Sequence, residues 1–218
     1  MTNILPPVFS KTPFKKIKIP NSLYQNIMKE YSFMSFDEEK DGFEYCPDWD
    51  AYTCGGVTID GSNFPYYNYY KISEKLYDEC YDAITPIIEE WSGYEVEKSY
   101  GYGIRSYVRN STLKLHRDKM DTHVLSCILF VDQKSKENWP LDFFDHEHKH
   151  HKVFFEPGDM LLYESLCVHG RITPFNGDYY RNMYFHWRPK VWECQMNNYS
   201  SIKYRFKNLD EYLNFYEK

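Results

Sequence analysis

His116 and Asp118 stand two residues apart, immediately ahead of the apolar run Val124 to Val131. In an extended chain, residues i and i+2 project from the same face, so an imidazole and a carboxylate would lie side by side at the mouth of a buried strand. Such a neighbourhood is either the beginning of a metal site or an ordinary hydrogen-bonded pair. On its own an H-x-D tripeptide decides nothing. The chain also carries Tyr107 and Leu113 upstream of the pair. Downstream, beyond the segment EPGDMLLYES, come His169 and then Arg181, followed by the run MYFHW.

These residues must be held by strands. After Gly93 the sequence breaks into short β-branched and aromatic runs: YEVEKSYGYGIRSYV, HVLSCILFV, PLDFF, KVFFE, MLLYES and MYFHWRP. Turn signals such as EPGD and FNGD separate them. Ahead of them, Ser22 and Gln25 have the capping-box spacing of a helix start within residues 20–35. A second helix follows from Ile72, Leu76, Ala83, Ile84, Ile87, Ile88 and Trp91, with Gly93 as its C-terminal stop and Pro86 expected to kink or split it. Helices followed by successive short strands predict a mainly β fold, a sandwich or barrel with helices packed on one outer face. Residues 41–68, rich in Gly, Asp, Pro and aromatics, read as a long loop with one short strand. Asn208 and Glu211 have the spacing of a terminal helix start.

Composition narrows the possible partners. The 218 residues suit a single domain, and a formal charge of -6 argues against a nucleic-acid surface, which attracts Lys and Arg. No run approaches the roughly 20 apolar residues of a membrane span, and the first twenty residues lack a signal-peptide pattern. The six cysteines are dispersed without a C-x-x-C pair, which suits reduced cytosolic thiols, with Cys127 and Cys167 buried as small hydrophobes. A cytoplasmic protein is the expectation.

The order Tyr107, Arg109-Asn110, Leu113, His116, Asp118, His169, Arg181 resembles the iron(II) and 2-oxoglutarate-dependent oxygenases, specifically their prolyl 4-hydroxylase-like branch. The likeness runs over residues 100–190 and includes THVLSCILFVDQ, WPLDFFDH, EPGDMLLYES and HGRITPFNGDYYRNMYFHW. It departs from that pattern where the Pro-Gly of the turn has become Arg109-Asn110, although Asn accepts positive φ better than most residues. The resemblance implies a double-stranded β-helix (jelly-roll, cupin-like) core at 96–190. Supporting helices and an aromatic loop would precede it at 1–95, and a helical extension would follow at 191–218. It implies Fe(II) on His116, Asp118 and His169. 2-Oxoglutarate would be anchored through its far carboxylate by Arg181, with a second hydrogen bond from Tyr107, and O2 would be the oxidant with ascorbate as a reductant. Two imidazoles and one carboxylate on one face of an iron leave positions open for such chemistry. The implied reaction is hydroxylation of a prolyl residue in a peptide or protein, with release of succinate and CO2. Arg in place of the Lys common among prolyl 4-hydroxylases weakens the inference to proline.

Other readings stand beside this one. The same chemistry could act on a free amino acid or another small molecule. The fold could also be a non-catalytic binding module, or a zinc hydrolase using the same ligands. The histidines of DHEHKHH, residues 145–151, form a rival metal tract, but their place between two strand runs favours a solvated hairpin turn. Thr122 and His123 read as residues stabilising the strand entry. His186 and Trp187 could face a cavity, and Trp49 and Tyr52 could close over a substrate.

Overall fold

Strand alternation organises the molecule. The structure is a computed structural model and describes residues 8–36, 56–57, 63–64, 67–193, 205–206, 210 and 214. Its strands are β1 (Phe14–Lys18), β2 (Gly56–Val57), β3 (Asn63–Phe64), β4 (Tyr67–Tyr70), β5 (Val96–Tyr107), β6 (Leu113–His116), β7 (Leu125–Ser135), β8 (Leu141–Phe144), β9 (His150–Val153), β10 (Asp159–Glu164), β11 (His169–Arg171), β12 (Gly177–Pro189) and β13 (Arg205–Phe206). The helices are α1 (Asn21–Phe33) and α2 (Glu74–Ser92). Two antiparallel sheets face each other, a major one in the order β1-β10-β7-β12-β5-β4 and a minor one in the order β13-β6-β11-β8-β9. This is the expected jelly-roll with helices on one outer face.

The period of two sorts every central strand between two cores. Leu125, Cys127, Leu129 and Val131 of β7, Met160 and Leu162 of β10, and Met183, Phe185 and Trp187 of β12 pack against Leu76, Cys80, Tyr81, Ile84 and Ile88 of α2. The alternate residues Ile128, Phe130, Leu161, Tyr163, Tyr180 and Tyr184 join Leu141 and Phe143 of the minor sheet between the sheets. Burial of each such side chain contributes about 1.5–3 kcal/mol. The second core is therefore the interior of the jelly-roll, and a residue's parity on β12 decides whether it faces the helices or the interior.

The N-terminal segment does more than supply helices. β1 and β4 are the two edges of the major sheet, a role that the sequence did not disclose. Lys15, Lys16 and Lys18 on β1 place charge on that edge, which discourages pairing with another chain. Helix α1 starts two residues earlier than the Ser22–Gln25 pattern requires. Pro20 occupies the cap position without a side-chain bond, and its carbonyl takes the first intrahelical bond, from Tyr24 N, at 2.9 Å. Helix α2 has Ser73 as its cap, with Oγ accepting from Leu76 N at 3.2 Å, and Gly93 at φ 78° ends it. Pro86 does not split α2: Pro86 and Asp82, whose carbonyl would have bonded the missing N–H, both lie on the exposed face, where water can serve that carbonyl.

Cys127 and Cys167 are buried, as expected, and are free thiols together with Cys80. Most of residues 41–68, with Trp49 and Tyr52, and the terminal helix expected from Asn208 lie outside the described residues. Arg205 and Phe206, within the segment expected to be helical, form β13 and pair with β6.

Candidate metal centre

The turn before β6 sets up the site. Asn110 adopts φ 69°, the left-handed conformation expected of it, and its N–H donates to Phe175 O at 2.9 Å, tying the turn to the loop that follows β11. β6 then runs antiparallel to β11, and His116 is directly opposite His169 in the register. Their ring centroids are 4.6 Å apart. Asp118 follows as the chain leaves β6, with its N–H held by Ser165 O at 3.0 Å. Asp118 Oδ1 lies 3.4 Å from His116 Nε2, and Oδ2 lies 3.8 Å from His169 Nε2. One ligand atom from each of the three residues falls within 4.8 Å of the others. Among the described residues no other group of three His, Cys, Asp or Glu side chains has this property.

Hydrogen bonding presents these groups as ligands. His169 Nδ1 donates to Cys167 O at 2.9 Å, which leaves the Nε2 lone pair directed at Asp118 and His116. A backbone carbonyl on the far nitrogen is the usual way to fix a ligating imidazole. Burial lowers the pKa of His169 to about 4, despite the opposing pull of Asp118, so its ring is neutral near pH 7. Burial alone would raise the pKa of Asp118, but His169, His116 and His186 outweigh it and hold the carboxyl well below the usual range. Asp118 Oδ2 is buried and accepts no hydrogen bond among the described residues. Two imidazoles and a carboxylate with an unsatisfied oxygen on one small patch fit a divalent cation.

His186 adds a residue that strand position alone could not place. It faces the interior, with Nδ1 4.0 Å from Asp118 Oδ2 and 2.6 Å from Ser126 Oγ. Its ring lies 3.9 Å from that of His123, whose Nδ1 meets Thr122 Oγ1 at 2.7 Å and whose Nε2 meets Tyr102 OH at 3.1 Å. His123 thus sits beside His186 at the edge of the cluster.

The remaining expected residues divide. Tyr107 is fully buried in the interior, where its hydroxyl meets Tyr184 OH at 3.0 Å and its ring packs on Trp139 and Tyr180. Arg181 lies away from the cluster, on the side of β12 that faces α1. Its Nε donates to Ser106 Oγ at 3.1 Å and its NH1 to Tyr31 OH, while the guanidinium lies 3.6 Å from the Phe36 ring and 3.8 Å from that of Tyr179. The physical reason is parity: Arg181 shares the helix-facing side of β12 with Met183, Phe185 and Trp187, whereas Tyr180, Tyr184 and His186 point inward.

The histidine-rich tract forms a β8–β9 hairpin as expected, but its histidines are not simply solvated. His146 lies 3.2 Å from Glu164, His150 2.9 Å from Asp142, and His151 2.7 Å from Asp145, so three of the four histidines stand beside a carboxylate. Asp145 Oδ1 also accepts from the N–H groups of Glu147 and Lys149, which shapes the turn.

No family model and no curated protein matches the chain. Solved structures do. AviO1 from Streptomyces viridochromogenes Tue57 is 13% identical, with a TM-score of 0.61 over 85% of this chain and 93% of its own. HygX from Streptomyces hygroscopicus, solved with nickel, 2-oxoglutarate and hygromycin B, is 13% identical, with a TM-score of 0.57 over 83% and 84%. A Pseudomonas putida prolyl-4-hydroxylase is 15% identical, with a TM-score of 0.57 over 83% and 94%. The chain shares the fold of these proteins. The resemblance read from the sequence therefore holds at the level of the fold, and the mainly β architecture with its double-stranded β-helix core is that of a known prolyl hydroxylase.

Proposed function

We propose that the protein is an Fe(II)/2-oxoglutarate-dependent dioxygenase. The observation that carries the reading is the cluster of His116, Asp118 and His169 within 4.8 Å, on a fold shared with a protein solved with nickel and 2-oxoglutarate. A facial set of two imidazoles and a carboxylate is the ligand pattern of non-haem Fe(II) oxygenases. His116 Nε2, His169 Nε2 and a carboxylate oxygen of Asp118 would hold the metal. Bound iron would supply coupled oxidation: 2-oxoglutarate, O2 and a substrate C–H give succinate, CO2 and a C–OH. The carbonyl of Cys167 keeps His169 in the ligating tautomer. Tyr107, buried in the interior with its hydroxyl against that of Tyr184, would donate to the cosubstrate. The interior aromatics Trp139, Phe143, Tyr163 and Tyr180 exclude water from the reacting groups.

The prime substrate in this reading is a prolyl residue of a peptide or protein, which the likeness to the Pseudomonas putida enzyme supports. A small-molecule substrate is the second reading, favoured by the equal TM-score of HygX with hygromycin B. The test is succinate formation from 2-oxoglutarate under air with Fe(II) and ascorbate, with and without a proline-rich peptide. Peptide-stimulated turnover with one added oxygen on proline supports the first reading, and turnover indifferent to peptide supports the second. A protein that forms no succinate and binds neither Fe(II) nor 2-oxoglutarate refutes both.

A further inference from the structure

A dioxygenase of this kind needs a cation for the far carboxylate of 2-oxoglutarate, and Arg181 faces the helices. The interior holds another cation. Arg171 is two residues beyond His169 on β11 and is fully buried. The β6–β11 register shifts between the two, yet both face the interior core, His169 with its ring 5.0 Å from Tyr163 and Arg171 4.5 Å from the Tyr180 ring. Two residues of a strand span about 6–7 Å, a separation comparable with the length of a five-carbon diacid. The guanidinium lies 4.5 Å from the Trp139 ring, 4.5 Å from that of Tyr180 and 5.7 Å from that of Phe155, all members of the interior core. NH1 donates to Trp139 O, and NH2 donates to Tyr180 OH at 3.0 Å. Nε is buried and has no hydrogen-bond partner, and among the described residues no carboxylate pairs with the group.

A buried cation without a counter-charge is a costly arrangement that a bound anion would relieve. Aromatic faces stabilise the charge in part, but they leave N–H groups in the guanidinium plane for an acceptor. A planar fork suits a carboxylate, which can take two parallel hydrogen bonds. Tyr107 completes the receptor, since its ring packs on the same Trp139 and Tyr180.

Resting on the dioxygenase reading, we infer that Arg171, in the aromatic box of Trp139, Tyr180 and Phe155, anchors the far carboxylate of 2-oxoglutarate in place of Arg181. Tyr180 OH and Trp139 O orient the guanidinium. Arg171 is a binding residue, and it acts from the same strand that carries a metal ligand.

The experiment is calorimetric binding of two keto acids to the Ni(II)-loaded protein: 2-oxoglutarate, and 2-oxopentanoate, in which a methyl replaces the far carboxylate. The unaltered protein is expected to prefer 2-oxoglutarate by about 100-fold. Arg171→Gln removes that preference by weakening 2-oxoglutarate alone, Arg171→Lys loses about tenfold because it keeps the charge without the fork, and Arg181→Gln keeps the preference. Circular dichroism checks that each variant is folded; should both Arg171 variants fail to fold, Arg181→Gln decides. A preference kept by Arg171→Gln or lost by Arg181→Gln overturns the assignment. A Ni(II)-loaded protein that binds neither keto acid overturns the dioxygenase reading, and the assignment with it. One that binds 2-oxoglutarate selectively but is indifferent to Arg171→Gln overturns the assignment alone.

Discussion

His116 and His169 are direct partners across the β6–β11 ladder, so two residues far apart in sequence owe their 4.6 Å ring separation to strand register. A register slip of one residue would turn either imidazole to the opposite face. The site is thus built into the sheet. Removing either ring should empty the site without dismantling the sheet, because backbone hydrogen bonds carry the pairing. His169→Ala is expected to lower Ni(II) or Fe(II) affinity by more than about 100-fold, beyond the usual loss on altering an outer partner of a ligand. Its far-ultraviolet circular dichroism should match that of the unaltered protein. Calorimetric metal titration makes the measurement, and near-normal affinity would refute the ligand assignment.

Arg181 has a structural task. It joins β12 to α1 through Tyr31, whose hydroxyl also donates to Asp132 Oδ2 at 2.9 Å, and it stacks on Phe36 and Tyr179. Contacts of a guanidinium with aromatic rings contribute about 0.5–2 kcal/mol, and a hydrogen bond about 1 kcal/mol. Arg181→Gln should therefore destabilise the protein by about 2 kcal/mol in urea unfolding, with metal affinity unchanged. Unaltered stability would show that this clamp contributes nothing.

The sequence made the cluster of His116, Asp118 and His169 legible because its spacing, the H-x-D pair and a distal His after a turn and a strand, survives without knowledge of which face each strand presents. The side of β12 that Arg181 occupies was not legible, because linear spacing carries no parity. The alternation Met183, Phe185, Trp187 held that information, but only once those residues are known to face α2. His186 has the opposite parity and for the same reason could not be oriented. Arg171 gave no signal, since an Arg on a three-residue strand looks like any surface cation until the rings around it are assembled. The edge roles of β1 and β4 depend on pairing with β10 and β5, which are distant in sequence.

Acid should loosen the β1 edge. Asp159 at the start of β10 receives Lys18 Nζ at 2.6 Å, Lys16 Nζ at 3.3 Å and the Glu156 N–H at 2.9 Å. Burial pushes its carboxyl up, but these partners outweigh it and hold the pKa below 3.8. A carboxyl with a lowered folded-state pKa contributes stability that is present above its unfolded value and is lost as the pH falls through the folded value. Stability should decline below about pH 4, and Asp159→Asn should remove part of that decline. At pH 7 this variant should cost about 1 kcal/mol, kept small because both lysines are exposed to solvent. Urea midpoints from pH 2.5 to 7 provide the check; identical pH profiles for the two proteins would exclude Asp159 as a source of the acid sensitivity.

Two glycines should respond differently to a methyl group. At Gly103 on β5, a Cβ would stand 2.1 Å from Tyr70 O, in the backbone where the chain passes from β4 toward α2. Neither backbone can move without disturbing the β4–β5 ladder, in which Tyr70 pairs with Ile104. At Gly93 the added Cβ meets nothing within 4 Å, and the cost lies in holding Ala at φ 78°. Gly93→Ala should cost about 1–2 kcal/mol, whereas Gly103→Ala should reach about 3 kcal/mol, the upper range for overpacking. The two should differ in kind as well. Gly103→Ala should expose the amide protons of β4 to faster hydrogen exchange, because that edge must separate to admit the methyl, while Gly93→Ala should fray only the last turn of α2. Equal stability losses with unchanged β4 exchange would mean that the edge strand yields without cost and that the close approach at Gly103 does not constrain the fold.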